Sequence, residues 1–164
     1  MERELHWRGI GVDALAFYGK TWKEARPDST FLNYAVSDTG GELVDFYQAY
    51  IPAISSMHPE MLEHWGYPVE KAKTRQVETI RLDDLLKDHR IEKIDFLSTD
   101  AEGSEPQVLK GFTLARYRPE LICIERWPKD EIQQFILGYF ESGGYRKMQE
   151  YEERDTINWY FCQA

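Results

Sequence analysis

Ile94-Asp95-Phe96-Leu97-Ser98-Thr99-Asp100-Ala101-Glu102-Gly103 is the stretch from which the fold can be read, an apolar run that ends in two carboxylates and a glycine. A run without polar alternation predicts a strand covered on both faces, as in parallel α/β sheets. Asp100 and Glu102 then emerge at its carboxyl end, where the loops of open α/β sheets splay apart and ligands bind. Ser104-Glu105-Pro106-Gln107 reads as a helix start, with Ser104 as cap, Gln107 completing a capping box and Pro106 in the first turn. A strand, an acidic turn and a helix together predict a site.

Toward the N-terminus, residues 9–13 predict a short buried strand, 14–26 a loop and helix ending before Pro27, and 30–37 a further strand. Asp38-Thr39-Gly40-Gly41 is a turn by composition, and 43–50 an added strand or hairpin arm. Residues 51–75 carry Pro52, Pro59, Gly66 and Pro68 and read as an inserted loop or lid over the site. Residues 76–82 then predict a strand, 83–89 a short helix, 94–99 the central strand and 120–125 another buried strand. Ile132, Phe135, Ile136, Tyr139 and Phe140 recur at helical spacing before Gly143-Gly144, and 145–151 with 156–162 predict a closing antiparallel pair. The expected architecture is α/β: one domain over residues 1–164 with a doubly wound, mostly parallel sheet and an antiparallel C-terminal edge hairpin.

Composition narrows the function classes. A hydrophobic share of 42% excludes a disordered chain, and a net charge of −9 without a Lys/Arg cluster argues against nucleic acid as partner. No apolar run is long enough to cross a bilayer and no signal peptide is evident, so a cytoplasmic protein without membrane contact is expected. Cys123 and Cys162 lie in apolar segments without ligand spacing and read as buried free thiols.

Several residues could carry chemistry. Asp13 ends a strand, where doubly wound folds place an acid that accepts hydrogen bonds from ribose hydroxyls; a turn or cap role is the alternative. Asp38 reads equally as an Asx turn. Asp100 and Glu102 are the candidates for a reaction centre, against a plainer reading as a helix cap and a solvated neighbour. Glu125 ends the apolar run Ile122-Cys123-Ile124 and should face the same crevice, to hold substrate or a metal ion or to pair with Arg126 or Lys129. His58 and His64 in the expected lid could serve as base or ligand, or be solvated loop residues. No metal site is assigned, because Asp100, Glu102 and Glu125 lack a diagnostic spacing. Gly40-Gly41 and Gly143-Gly144 do not lie between a buried strand and a helix start as phosphate loops do.

Residues 94–103, followed by Val108-Leu109-Lys110-Gly111-Phe112 and Arg116-Tyr117-Arg118-Pro119, closely resemble the core signature of FkbM-type methyltransferases. Gly9-Ile10-Gly11-Val12-Asp13-Ala14 after Trp7-Arg8, Asn33-Tyr34-Ala35-Val36-Ser37-Asp38 and Leu82-Asp83-Asp84-Leu85-Leu86 fit in order. The resemblance implies a Rossmann-like class I fold and S-adenosylmethionine-dependent O-methylation of a hydroxyl on a small molecule or sugar. It implies that Asp13 holds the cofactor's ribose, Val36 flanks the adenine and Ser37 or Asp38 bonds its amino edge. Asp100 and Glu102 would line the methyl-transfer pocket, and Glu125 and His58 are assigned to the substrate. The resemblance also implies a first strand and glycine loop ahead of Trp7, with residues 1–6 as the tail of a first helix; that strand is missing here. Its place would be between the strands ending at Asp13 and Asp100, so those strands are expected to close up on each other, to borrow a strand from a partner or from another copy in a homo-oligomer, or to remain unstable. The rival expectation is a catalytically silent, truncated domain that acts as a binding or interaction module.

Overall fold

A computed structural model describes residue 4 and residues 6–164; the expected helix tail rests on residues 1–3 and 5, which lie outside them. The fold is mixed α/β, and among the described residues the strands fall into three hydrogen-bonded pieces. In the first, β1 (Ile10–Val12) runs parallel to β2 (Thr30–Leu32). In the second, β3 (Ala35–Ser37) runs parallel to β5 (Lys73–Arg81), whose other edge takes β4 (Leu43–Gln48) antiparallel. The third has the order β6 (Phe96–Thr99), β7 (Leu121–Glu125), β9 (Asn158–Gln163) and β8 (Tyr145–Lys147). There β6 and β7 are parallel, and the closing hairpin is antiparallel.

From residue 6 onward the helices are α1 (Tyr18–Ala25), α2 (Pro59–His64), α3 (Leu82–Asp88), α4 (Glu105–Lys110), α5 (Leu114–Tyr117) and α6 (Asp130–Ser142). Side chains join what the ladders leave apart. Ile10 and Val12 of β1, Leu32 of β2, Val36 of β3, Ile80 of β5 and Leu97 of β6 all pack against the core built on Ile122, Ile124, Phe140 and Phe161. The apolar stripe of α6 buries Ile136 and Phe140, and the Phe140 ring lies 4.4 Å from that of Phe161 on β9. Where α4 ends, a Cβ on Gly111 would stand 2.3 Å from the Ser37 carbonyl oxygen, so only glycine lets the helix close against the end of β3.

Three strands differ from expectation; the one expected over 145–151 ends at Lys147 and gives way to a single 3₁₀ turn at Gln149–Tyr151. The 30–37 strand is broken at Asn33-Tyr34, its halves pairing with β1 and β5 respectively. The Asn33 side-chain amide donates to the Asp13 carbonyl at 2.8 Å and takes the chain out of the ladder there. The strand covered on both faces is β7, with Ile122 and Ile124 fully buried, and not β6, where Ser98 is exposed and Phe96 and Leu97 are half-buried. Among the described residues β6 pairs on one edge only, with β7. The expected irregular segment 51–75 contains α2, two single turns of 3₁₀ helix and the start of β5. It buries Ser55, Ser56, Met61 and Leu62. No helix among the described residues is long and apolar enough to cross a membrane.

Candidate active site

At Asp100 the chain leaves β6 and enters a turn with left-handed backbone at Glu102 (φ 49°) and Gly103 (φ 91°). That conformation costs a residue with a side chain about 1–2 kcal/mol, so something must hold it. Glu105, fully buried at the start of α4, does so: Oε1 accepts the Ala101 N–H at 2.7 Å and Oε2 the Gly103 N–H at 3.1 Å. The Ser56 hydroxyl donates to the Glu102 carbonyl at 2.7 Å, and the Trp65 indole N–H to Glu102 Oε2 at 3.3 Å. Gly103 has no room for a side chain, since a Cβ would stand 2.7 Å from Met61 Sδ on α2. The expected capping box is not formed: the Ser104 side chain makes no cap hydrogen bond, and the acceptors for this turn come from Glu105.

The turn brings three predicted carboxylates together. One oxygen each of Asp100, Glu102 and Glu125 lies within 4.8 Å of the other two. Asp100 is exposed, Glu102 half-buried, and Glu125 at the end of β7 only 7% exposed. Glu125 Oε2 has no hydrogen-bond partner. The rim partners considered for Glu125 do not engage it among the described residues: Arg126 donates to the Thr156 carbonyl, and no ion pair links Lys129 to it.

Burial gives these acids their proton affinity. It raises Glu125 to about 8, with the charges of Asp100, Glu102 and Glu105 adding to the effect. Burial, then the Asp100 charge, raises Glu102 to about 7. Glu105 reaches about 7 through burial, against the pull of its backbone N–H donors. Asp100 is also raised, because its carboxyl end is partly shielded from water although the residue as a whole is exposed, while a hydrogen bond shared with Glu125 acts in the opposite direction. A carboxylate near 7 exchanges its proton around neutral pH, and a cluster of this charge attracts cations.

The remaining candidates surround this centre. Asp13 Oδ1 accepts the Leu15 N–H at 2.7 Å; burial raises its carboxyl, that N–H lowers it and the Asp100 charge raises it further. Ser37 is buried, with its hydroxyl donating to Asp38 Oδ1 at 3.2 Å, while Asp38 is exposed and Val36 joins the core. Ser37 and His58 line the same open cavity of about 360 Å³, beside the carboxylates rather than over them. Ser56 connects the two places, accepting the His58 N–H at 3.0 Å while it donates to Glu102. His64 lies on the other side, with its ring edge-on to Trp65 and Trp127 at 5.4 Å.

The family model of the methyltransferase FkbM domain matches residues 2–147. The chain belongs to the FkbM methyltransferase family. No curated protein and no solved structure matches it. The matched span of this FkbM chain holds every candidate residue from Asp13 to Glu125 and ends with β8, so β9, which completes the sheet beside β7, lies beyond it. Sequence reasoning placed Ser56 and Trp65 no more finely than in the 51–75 lid, and missed Glu105 and Trp127 as parts of the site. Only Glu105 left a signal, as an acid at the first position of a predicted helix directly after the acidic turn.

Proposed function

We propose that this FkbM-family chain is an S-adenosylmethionine-dependent O-methyltransferase acting on a hydroxyl of a small molecule or sugar. The observation that carries the reading is the convergence of Asp100, Glu102 and Glu125 at the carboxyl ends of two adjacent parallel strands. In this reading the three pieces form one doubly wound, Rossmann-like domain, and residues 51–75 act as its lid.

The residues fit the cofactor in two respects. Asp13 keeps a second carboxylate oxygen for a ribose diol, and Ser37, whose hydroxyl donates to Asp38, lines an open cavity for the base. The five acids Asp13, Asp100, Glu102, Glu105 and Glu125 favour a cationic group. S-adenosylmethionine would supply the methyl group on its sulfonium. The chain's own part is positioning and proton transfer. Glu102, held by Trp65 and Ser56, accepts the proton of the acceptor hydroxyl at Oε1. Asp100 and Glu125 orient the acceptor, and α2 with Trp65 covers one side of the acid turn.

Calorimetric titration with S-adenosylmethionine is the test. Micromolar binding that weakens at least tenfold in Asp13→Ala is expected; no heat at millimolar cofactor overturns the reading. A second reading, a binding module without turnover, is favoured by one feature: among the described residues β1 pairs only with β2 and β6 only with β7. Turnover of any hydroxyl acceptor by the purified chain excludes it.

A further inference from the structure

Asp100, Glu102, Glu105 and Glu125 cluster without a basic partner: none of the ion pairs among the described residues involves them. Glu105 is explained by the two backbone N–H groups it accepts. The other three are not used in this way. Glu125 is the telling member, 93% buried by its 7% exposure, with Oε2 lacking any hydrogen-bond partner and its carboxylate facing those of Asp100 and Glu102. Buried acceptors are almost always satisfied in folded proteins, and a buried carboxylate beside two others is satisfied best by a cation.

We propose that Asp100, Glu102 and Glu125 form a binding site for a hard divalent cation, Ca²⁺, Mn²⁺ or Mg²⁺, each giving one oxygen. An ion bound at about 2.4 Å places opposite oxygens about 4.8 Å apart. The three oxygens lie within 4.8 Å of one another, which is the range of separations found within one such shell. The donor set is oxygen only, which selects hard cations over zinc or copper. Three protein oxygens leave about half of a shell of six to eight positions open for water or a substrate hydroxyl. The site stands on geometry alone. Its role in holding and acidifying an acceptor hydroxyl rests on the methyl-transfer reading.

Terbium luminescence tests it on the intact chain without any turnover. Tb³⁺ occupies oxygen sites of this kind, and Trp65, whose indole nitrogen is 3.3 Å from Glu102 Oε2, would sensitise it. Saturable emission, displaced by excess Ca²⁺ or Mn²⁺, is expected. It should weaken at least tenfold in Glu125→Gln and in Asp100→Asn, and stay unchanged in Glu120→Gln, which removes a distant surface acid. Asp100 is exposed, so that variant remains informative if the buried one misfolds. Absent emission, or emission that survives both substitutions, overturns the site. S-adenosylmethionine binding by a protein silent toward Tb³⁺ overturns the site alone and leaves the methyltransferase reading in place.

Discussion

The turn after β6 and the turn before β9 each place carboxylates beside a strand end, and they leave them in opposite states. Asp155 accepts the N–H groups of Ile157 and Asn158 at 3.0 and 2.9 Å, the Tyr160 hydroxyl at 2.7 Å and the Asn158 amide at 3.1 Å. Those donors hold it at about 2. Asp100, Glu102 and Glu125 have few donors and are pushed upward, the two glutamates to about 7 and about 8. A carboxylate that shapes a loop uses up its acceptors within the chain. The carboxylates of the acid turn are left short of donors, as the proposed cation site requires, and folding stability carries the cost. Glu105 is the exception within the acid turn, because it does there what Asp155 does in the other.

Glu105→Ala therefore gives the largest expected loss. It strips the acceptor from two N–H groups in a buried turn, for about 3 kcal/mol in total. For a chain of this size that lowers Tm by about 10 °C. A scanning calorimeter would decide it; a change within error would mean that the turn is held by its neighbours instead. Asp155→Ala removes more hydrogen bonds but in a wetter place, where water substitutes, and should cost about 1–2 kcal/mol. If Asp155→Ala proved the more damaging of the two, the contrast between the turns would be inverted.

Much of this was legible in the residues. The apolar runs ending at Asp100 and Glu125 located the strand ends, and the collinear blocks identified the family that the match over residues 2–147 establishes. What escaped depends on contacts distant in sequence. The break at Asn33 arises from a bond to Asp13, 20 residues away. Met61 and Leu62 are buried in a proline-bearing segment because α2 packs on Gly103, a neighbour that local periodicity cannot reveal. Glu105 faces inward although an acid in the first turn of a helix usually faces solvent, where it complements the helix dipole. β6 reads as doubly covered because an apolar run cannot say what packs above and below the sheet, and there Ser98 stays exposed.

The two turns also separate along the pH axis. The raised acids hold a proton more tightly folded than unfolded, so their stabilising contribution is complete below about 4.5 and is lost as pH rises through 7 to 8. Asp155 has a lowered value, so its contribution is present above 3.8 and is lost only as pH falls toward 2. With chelator present, Tm should decline by at least about 5 °C between pH 5 and 8, and the decline should flatten in the Glu102→Gln, Glu125→Gln double variant. A Tm that rises over that interval would mean that the acids already have a counter-charge.

Glu125→Gln is the smallest expected effect on stability and has the opposite sign. The substitution keeps the shape of the side chain, removes a buried charge from beside two others, and supplies donors to a neighbouring oxygen. At pH 8 with chelator it should raise Tm by about 3 °C, while at pH 5, where Glu125 is already protonated, it should change little. The corresponding change at the other turn, Asp155→Asn, should lower Tm, because its oxygens are all in use. A stabilised Glu125→Gln protein that has also lost cation binding would tie the strain in the acid turn to the ligand that relieves it. A destabilised one would mean that Glu125 is a structural carboxylate like Asp155, and the distinction between the two turns would then be one of burial alone.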